Sequence, residues 1–317
     1  MEGQPSQVSS QATVSKMKSV EITMGKNVPQ FSKANTLGRQ QWKRELGSKR
    51  CQQMFTGSFS TAAPSFIEKE SHGTVKILTF NDPKRRNTIN FEKTVAFMEA
   101  IKEADADPSV NIIAITGKGD IFCSGTDLAV ARETPSIEDY ASHLSTITCE
   151  LFAAFIDCKK PIVALVNGPA IGMGVTMIGL CDTAYAASSA TFTTPFTALG
   201  LCAEGASSYT FPRILGYAKA SSLLLFNERI NATKALEWGL VADVIPKETF
   251  EKETREKLRY MSELPIKALL YSKELIRGRE RHHLHAANNK EREALSILLK
   301  SEDFVASVNN FFARKKK

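Results

Sequence analysis

The stretch VNGPAIGMGVTMIGLCD, residues 166–182, decides how the chain is read. It continues a β-rich apolar run, PIVALV at residues 161–166, through the turn chemistry of Asn167, Gly168 and Pro169 into the start of an apolar helix. A short apolar run closed by turn residues reads as a buried strand. Gly172 and Gly174 let another group approach the main chain closely. A strand that empties into a helix leaves unpaired backbone N–H groups pointing outward, and these can hold an anion or a developing oxyanion. Plain strand-to-helix packing accounts for the same residues, so this stretch alone leaves both readings open.

A second stretch, IFCSGTDL at residues 121–128, follows a strand expected over residues 111–117 and also ends in a glycine turn. It can bring a second backbone N–H, that of Thr126, towards the same point. A third, LGLCAEGASSYTFP at residues 199–212, carries one acidic residue, Glu204, among small neutral neighbours. A carboxylate placed there is partly desolvated and a better base than in water. A loop carboxylate, or an acid at the start of a helix stabilised by its dipole, is the plainer account of Glu204.

Composition bounds the remaining possibilities. A chain of 317 residues that is 43% hydrophobic supports one large core or two small domains. No apolar run is long enough for a membrane span, which needs about 18 residues. The six cysteines, at 51, 123, 149, 158, 181 and 202, show no CxxC and no close pairing with histidine. Free thiols in a reduced compartment are expected, and no metal site. The net charge of +7 is uneven: residues 1–66 hold nine Lys and Arg against three Asp and Glu, while the remainder holds 32 against 31. The nearly neutral body needs no nucleic acid as partner.

Residues 1–66 are rich in Ser, Gln, Thr and Lys and read as a disordered basic leader. Arg39, Lys43, Arg44, Lys49 and Arg50 ahead of residues 54–61 fit a targeting segment, whereas Glu2, Glu21 and Glu45 fit it poorly. From His72 the pattern changes. Residues 73–81 alternate as a strand, Asp82 and Pro83 turn, and Asn90 caps a helix over 91–106. A helix over 137–158 carries Leu144, Ile147, Leu151 and Phe155 on one face, and short strands follow near 183–187 and 190–193. Beyond Pro212 helices are expected over 218–226, 232–238, 249–262, 265–279, 284–300 and 302–314. Strands with crossover helices followed by helices alone give an α/β core, residues 67–265, and a helical region, 266–317.

In order and spacing, NDPKRRN (81–87), FCSGTD (122–127), VNGPAIGMG (166–174), AxFxTPF (190–196) and AEGASSYTFP (203–212) resemble the enoyl-CoA hydratase/isomerase, or crotonase, superfamily. The likeness covers about residues 70–315. The last segment is similar to the peroxisomal-type Δ3,Δ2-enoyl-CoA isomerases, and the chromodomain-Y-like branch shares nearby features. This resemblance implies a spiral of ββα units with C-terminal helices that build a homotrimer or a hexamer. It implies an acyl-CoA thioester as substrate and no separate cofactor, coenzyme A being part of that substrate. The oxyanion hole then falls on the backbone N–H groups of Thr126 and Met173.

Hydratases of the superfamily use two glutamates, and the matching positions here are Thr176 and Phe196, neither able to move a proton. Glu204 falls where the isomerase branch carries its single acid. The expected reaction moves the double bond of a cis- or trans-3-enoyl-CoA to position 2 in the β-oxidation of unsaturated fatty acids. Relatives commonly place proline before this glutamate, and Ala203 departs from that pattern. Phe192, Phe196, Leu199 and Leu201 are expected to dry the pocket, with ordinary core packing as the equal alternative for each of them singly. Lys84, Arg85 and Arg86 sit where relatives contact the nucleotide end, with the 314–317 tail as further charge; a solvated basic loop is the equal alternative for both. Ser124, Gly125, Asp127, Leu128 and Gly172 complete the expected substrate contacts, with Asp127 as a helix cap rather than a second base.

His282, His283 and His285 are expected on the surface at a helix start. WKRELG, residues 42–47, faintly resembles the end of an acyl-CoA-binding module. The last residues, Arg-Lys-Lys-Lys, differ from the serine-lysine-leucine address. The leader fits mitochondria and the isomerase branch fits peroxisomes, so both compartments are expected. A non-catalytic acyl-CoA-binding or scaffold member of the superfamily is the competing function.

Overall fold

The computed structural model describes residues 66–314. Residues 1–65 of the expected leader, with its targeting and acyl-CoA-binding readings, lie outside the described residues, as do residues 315–317 and the side chains of Glu133 and Arg314. A six-stranded sheet runs in the order β1 (Ile67–His72), β2 (Val75–Phe80), β3 (Ile112–Gly117), β4 (Ile162–Val166), β6 (Thr183–Ala187) and β9 (Asp243–Ile245). Only the β1–β2 hairpin is antiparallel. Every residue of β4 is buried, as a central parallel strand covered on both faces requires. A small second sheet joins β5 (Ala170–Ile171), β7 (Thr191–Thr193) and β8 (Ile230–Asn231).

Helix α1 (Phe91–Ala106) begins where the Asn90 side chain accepts the Lys93 N–H at 3.0 Å. After the short α2 (Ala129–Glu133), α3 (Ile137–Asp157) begins where Ser136 Oγ accepts the Asp139 N–H at 3.1 Å. Helices α1 and α3 cover one face of the large sheet through Phe97, Ile101, Leu151 and Phe155. The other face, with Val75, Ile77, Ile112, Val163 and Leu165, packs on Phe250 and Leu258 of α8 (Phe250–Ser262). Strand β4 leads through β5 into α4 (Met173–Thr176). Strand β6 leads through β7 to α5 (Ser207–Leu215) and α6 (Tyr217–Leu224). This is the ββα spiral. α7 (Ala232–Trp238), α9 (Ile266–Arg277), α10 (Arg281–Leu298) and α11 (Glu302–Arg314) complete the chain.

Several elements differ from the sequence expectation. Beyond Pro212, where helices alone are expected, β8 and β9 pair with β7 and β6. Strand β1 has a single buried residue, Ile67, and otherwise reads as charged and polar, so it shows no alternation. Its pairing with β2, from Ile67 opposite Phe80 to His72 opposite Val75, makes it a strand. The expected helices begin beyond Pro212, whereas helix α5 runs through it although proline lacks the N–H for the preceding turn. Phe211, fully buried beside it, anchors the helix in the core.

The C-terminal helices share a core with the body. Leu295 and Leu299, at the end of α10, and Phe304 and Val308 of α11 pack with Tyr140 and Ala141 of α3. The chain comes so close at Gly200 (φ 69°) that a Cβ there would stand 2.8 Å from the Phe304 amide nitrogen.

Candidate active site

Two glycine turns lie side by side. Cys123 faces Ala170 in a parallel bridge, and the Ile171 N–H donates to the Cys123 carbonyl at 2.9 Å. Thr126 and Met173 each stand three residues beyond that bridge and occupy matching places on the two turns. Thr126 lies against Ile89, but Ile89 bonds to Gly125 and Asp127, leaving the Thr126 N–H without a backbone acceptor among the described residues. Met173 opens α4, where its N–H has no acceptor either. Gly125 (φ 80°) permits the close approach: a Cβ there would lie 2.7 Å from the Ile171 carbonyl oxygen and 3.7 Å from the Met173 nitrogen. Gly172 (φ 55°) supplies the left-handed step that aims the start of α4.

Glu204 lies in the loop before α5 and is 6% exposed. Its Oε1 accepts the Thr176 hydroxyl at 2.7 Å, while its Oε2 has no partner among the described residues. Burial pushes the Glu204 carboxyl up to about 8; the Thr176 hydrogen bond opposes the rise and the nearby Glu291 charge adds to it. The Glu204 carbonyl accepts Ser207 Oγ at 2.6 Å, which fixes the residue from its main-chain side.

Both features open on one cavity of about 700 Å³. Lys84, Arg85, Arg86, Ser124, Gly125, Thr126, Asp127, Leu128, Gly172, Met173, Phe196 and Glu204 all line it, so the expected base, amide donors and substrate contacts meet here. Leu199 and Leu201 line it as expected, whereas Phe192 does not: it is fully buried in β7, paired with Ala170, and belongs to the core. Lys84, Arg85 and Arg86 are exposed; Arg85 pairs with Asp127 at 2.5 Å, while Lys84 and Arg86 have no ion-pair partner among the described residues. Asp127 also accepts the N–H of Ala129, the first residue of α2, at 3.1 Å, from one place ahead of the cap position, which Leu128 holds rather than the expected Asp127. The Asn87 side chain ties this basic loop to the first glycine turn by donating to the Ile121 carbonyl at 2.7 Å.

The sequence did not reveal the rest of the wall: Tyr140, Leu144, Ser145 and Thr148 on α3, with Leu295, Leu299, Phe304, Phe311 and Phe312 from the C-terminal helices. The sequence reading groups Leu144 with Ile147, Leu151 and Phe155 on one face, whereas Leu144 lines the cavity and Leu151 and Phe155 lie in the core. Among the described residues, four of the five buried side-chain oxygens without partners, those of Thr88, Ser124, Tyr140 and Glu204, belong to this cavity wall. Such groups are costly unless a ligand or water meets them. His282 and His283 are exposed near the start of α10, and His285 pairs with Asp157 at 2.7 Å. No cluster of three or more His, Cys, Asp or Glu among the described residues is placed to hold a metal.

An α/β spiral with paired amide-bearing turns and a buried carboxyl on one cavity defines a class. Residues 70–317 match the enoyl-CoA hydratase/isomerase family, and the chain belongs to it. It is 42% identical over 260 residues to Enoyl-CoA delta isomerase 2 of Homo sapiens, covering 81% of this chain and 66% of that protein. The chain thus spans just under two-thirds of that relative's length. It is 40% identical to the peroxisomal Enoyl-CoA delta isomerase 3 of Mus musculus, covering 77% of each chain. A crystal structure of an enoyl-CoA hydratase/isomerase from Pseudoalteromonas atlantica T6c superposes with a TM-score of 0.72 at 31% identity, covering 79% of this chain and 98% of the other.

Proposed function

We propose that this protein is a Δ3,Δ2-enoyl-CoA isomerase of unsaturated fatty-acid β-oxidation, with Glu204 as its single base. The observation that carries the reading is the state of Glu204: buried, pushed up to about 8, with one carboxyl oxygen unpartnered on the cavity wall. The thioester oxygen of a 3-enoyl-CoA sits between the N–H groups of Thr126 and Met173. Glu204 takes a proton from carbon 2, the two amides stabilise the dienolate oxygen, and Glu204 returns the proton to carbon 4. The double bond moves from position 3 to position 2 with no redox change. Asp127, the other cavity carboxylate, is engaged by Arg85 and by the Ala129 N–H, which disfavours it as a base.

Hydration needs a second acid to hold water. Thr176 stands at the position matched to one of the hydratase glutamates and spends its hydroxyl on Glu204, which favours isomerisation. The apolar Phe196, Leu199 and Leu201 keep the returning proton from exchanging with water. Lys84, Arg85 and Arg86 hold the phosphates of coenzyme A, which travels with the substrate; the reaction needs no other cofactor. An assembly of copies, trimer or hexamer, fits the exposed Tyr271, Leu275 and Ile276 of α9. The relative named as peroxisomal supports that organelle, with the mitochondrion as the alternative set by the leader. No helix among the described residues is long and apolar enough to cross a membrane.

Trans-3-hexenoyl-CoA given to the purified chain should yield the trans-2-enoyl thioester. A chain that binds the CoA ester without converting it is instead a binding member of the family, and the proposal falls.

A further inference from the structure

Glu291, on α10, is 6% exposed and reaches across to the loop that carries Glu204. Its Oε2 accepts the Ala206 N–H at 2.6 Å and its Oε1 accepts the Ser208 N–H at 2.8 Å. These amides belong to the first turn of α5, which has no side-chain cap of its own. Gly205 and Ala206 are consecutive left-handed residues (φ 69° and 55°) directly after Glu204. Gly205 has no room for a side chain, since a Cβ would stand 2.8 Å from the Phe152 ring and 2.9 Å from Thr176 Oγ1. Ala206 does carry a Cβ, and its left-handed conformation is unfavourable unless the surroundings hold it. The Glu291 carboxylate bonds the amide of that residue and the amide two positions on.

We infer that Glu291 is a positioning residue for Glu204: its carboxylate clamps the strained start of α5 and sets a fixed negative charge against the base. The inference rests on the reading of Glu204 as the base. Among the described residues, Glu291 on α10 is the charged group that acts on the Glu204 carboxyl, and Glu204 in turn acts on Cys123 beside the first glycine turn and on Cys202 of its own loop. Burial holds the Cys123 thiol at about 12 and the Cys202 thiol at about 11, so both stay neutral while Glu204 titrates. Glu291 supplies the charge, since each of its two oxygens accepts a backbone N–H as an ionised carboxylate does. Burial raises its own carboxyl, but the Ser208 and Ala206 N–H groups act against that rise and favour the ionised form. Its neighbour on α10, Arg292, acts on Cys149, as do Glu150 on α3 and Glu291 itself. Glutamine at 291 would offer one oxygen and one NH2, so one of the two amides would meet a donor instead of an acceptor.

Infrared titration of the full chain tests this, with the Glu204 carboxyl band identified by its loss in Glu204→Gln. That readout needs no turnover. In Glu291→Gln the midpoint of the band should fall by about one pH unit, because a like charge is gone and the loop admits water. The same variant should lose about tenfold in kcat with KM little changed. Glu291→Asp keeps the charge but is too short to reach both amides; its midpoint should stay near wild type while kcat falls, and it serves if the glutamine variant does not fold. An unmoved midpoint in folded Glu291→Gln, or a wild-type kcat in Glu291→Asp, overturns the inference. A chain without turnover whose midpoint still moves in Glu291→Gln overturns the isomerase reading and leaves the clamp standing.

Discussion

In the proposed mechanism the working atoms at the two glycine turns are main-chain amides, and the glycines beside them in sequence place them. At the loop before α5 the proposed working atom is a side-chain oxygen, and the residues that contact its side chain and loop come from α4 and α10. The first half of the site is written locally. Gly125 and Gly172 adopt left-handed geometry, and at Gly125 a side chain would strike the neighbouring carbonyl. The second half is assembled by the fold, through Thr176 on one oxygen of Glu204 and Glu291 on the amides that follow it. Local construction survives changes elsewhere; assembled construction fails or drifts when any contributing element is altered.

Substitutions separate the two halves. Glu204→Gln should cost roughly two to four orders of magnitude in turnover while CoA-ester binding persists. The same variant probes stability. A carboxyl held at about 8 in the folded chain, against an ordinary value of 4.5, keeps its proton longer when folded than when unfolded. Its contribution is therefore fully present below the ordinary value and lost as pH rises through about 8. Urea unfolding should show that loss in the wild type and a flatter profile in Glu204→Gln. Gly125→Ala attacks the local half: a methyl 2.7 Å from the Ile171 carbonyl must displace one turn, for a fall of about a hundredfold in kcat. The pH dependence of that variant should be unchanged, because Glu204 is untouched.

Thr176→Val attacks the assembled half more gently. Removing the hydroxyl takes away the interaction that lowers Glu204, so the acidic limb of kcat should move to higher pH and activity near neutrality should fall about tenfold. A limb that moves down would contradict the role given to Thr176. The smallest effect is expected from Lys84→Ala combined with Arg86→Ala: KM rises a few-fold, more at low salt, and kcat holds, since both side chains are exposed and screened.

This division explains what was legible in the sequence. The strand-turn-helix runs, the Asn90 cap and both glycine turns lie within a few residues of their cause, and Glu204 was visible as a lone acid among small residues. Strand β1 was not legible, because its pairing with β2 rather than its own pattern makes it a strand. Phe192 reads like a pocket residue by composition, yet its place in β7 buries it. Glu291 looks like any charged residue of an exposed helix, and its partners lie on another element. The same holds for Phe304, Phe311 and Phe312: a helix is expected over 302–314, but not the cavity that these side chains line.

The most direct test of the central claim follows one hydrogen. With 3-enoyl-CoA deuterated at carbon 2, a single buried base that carries the proton from carbon 2 to carbon 4 should deliver part of the label to carbon 4 of the product, and Glu204→Gln should deliver almost none because turnover collapses. Full turnover in the variant, or a wild-type product labelled only from solvent, would contradict a single-base transfer by Glu204.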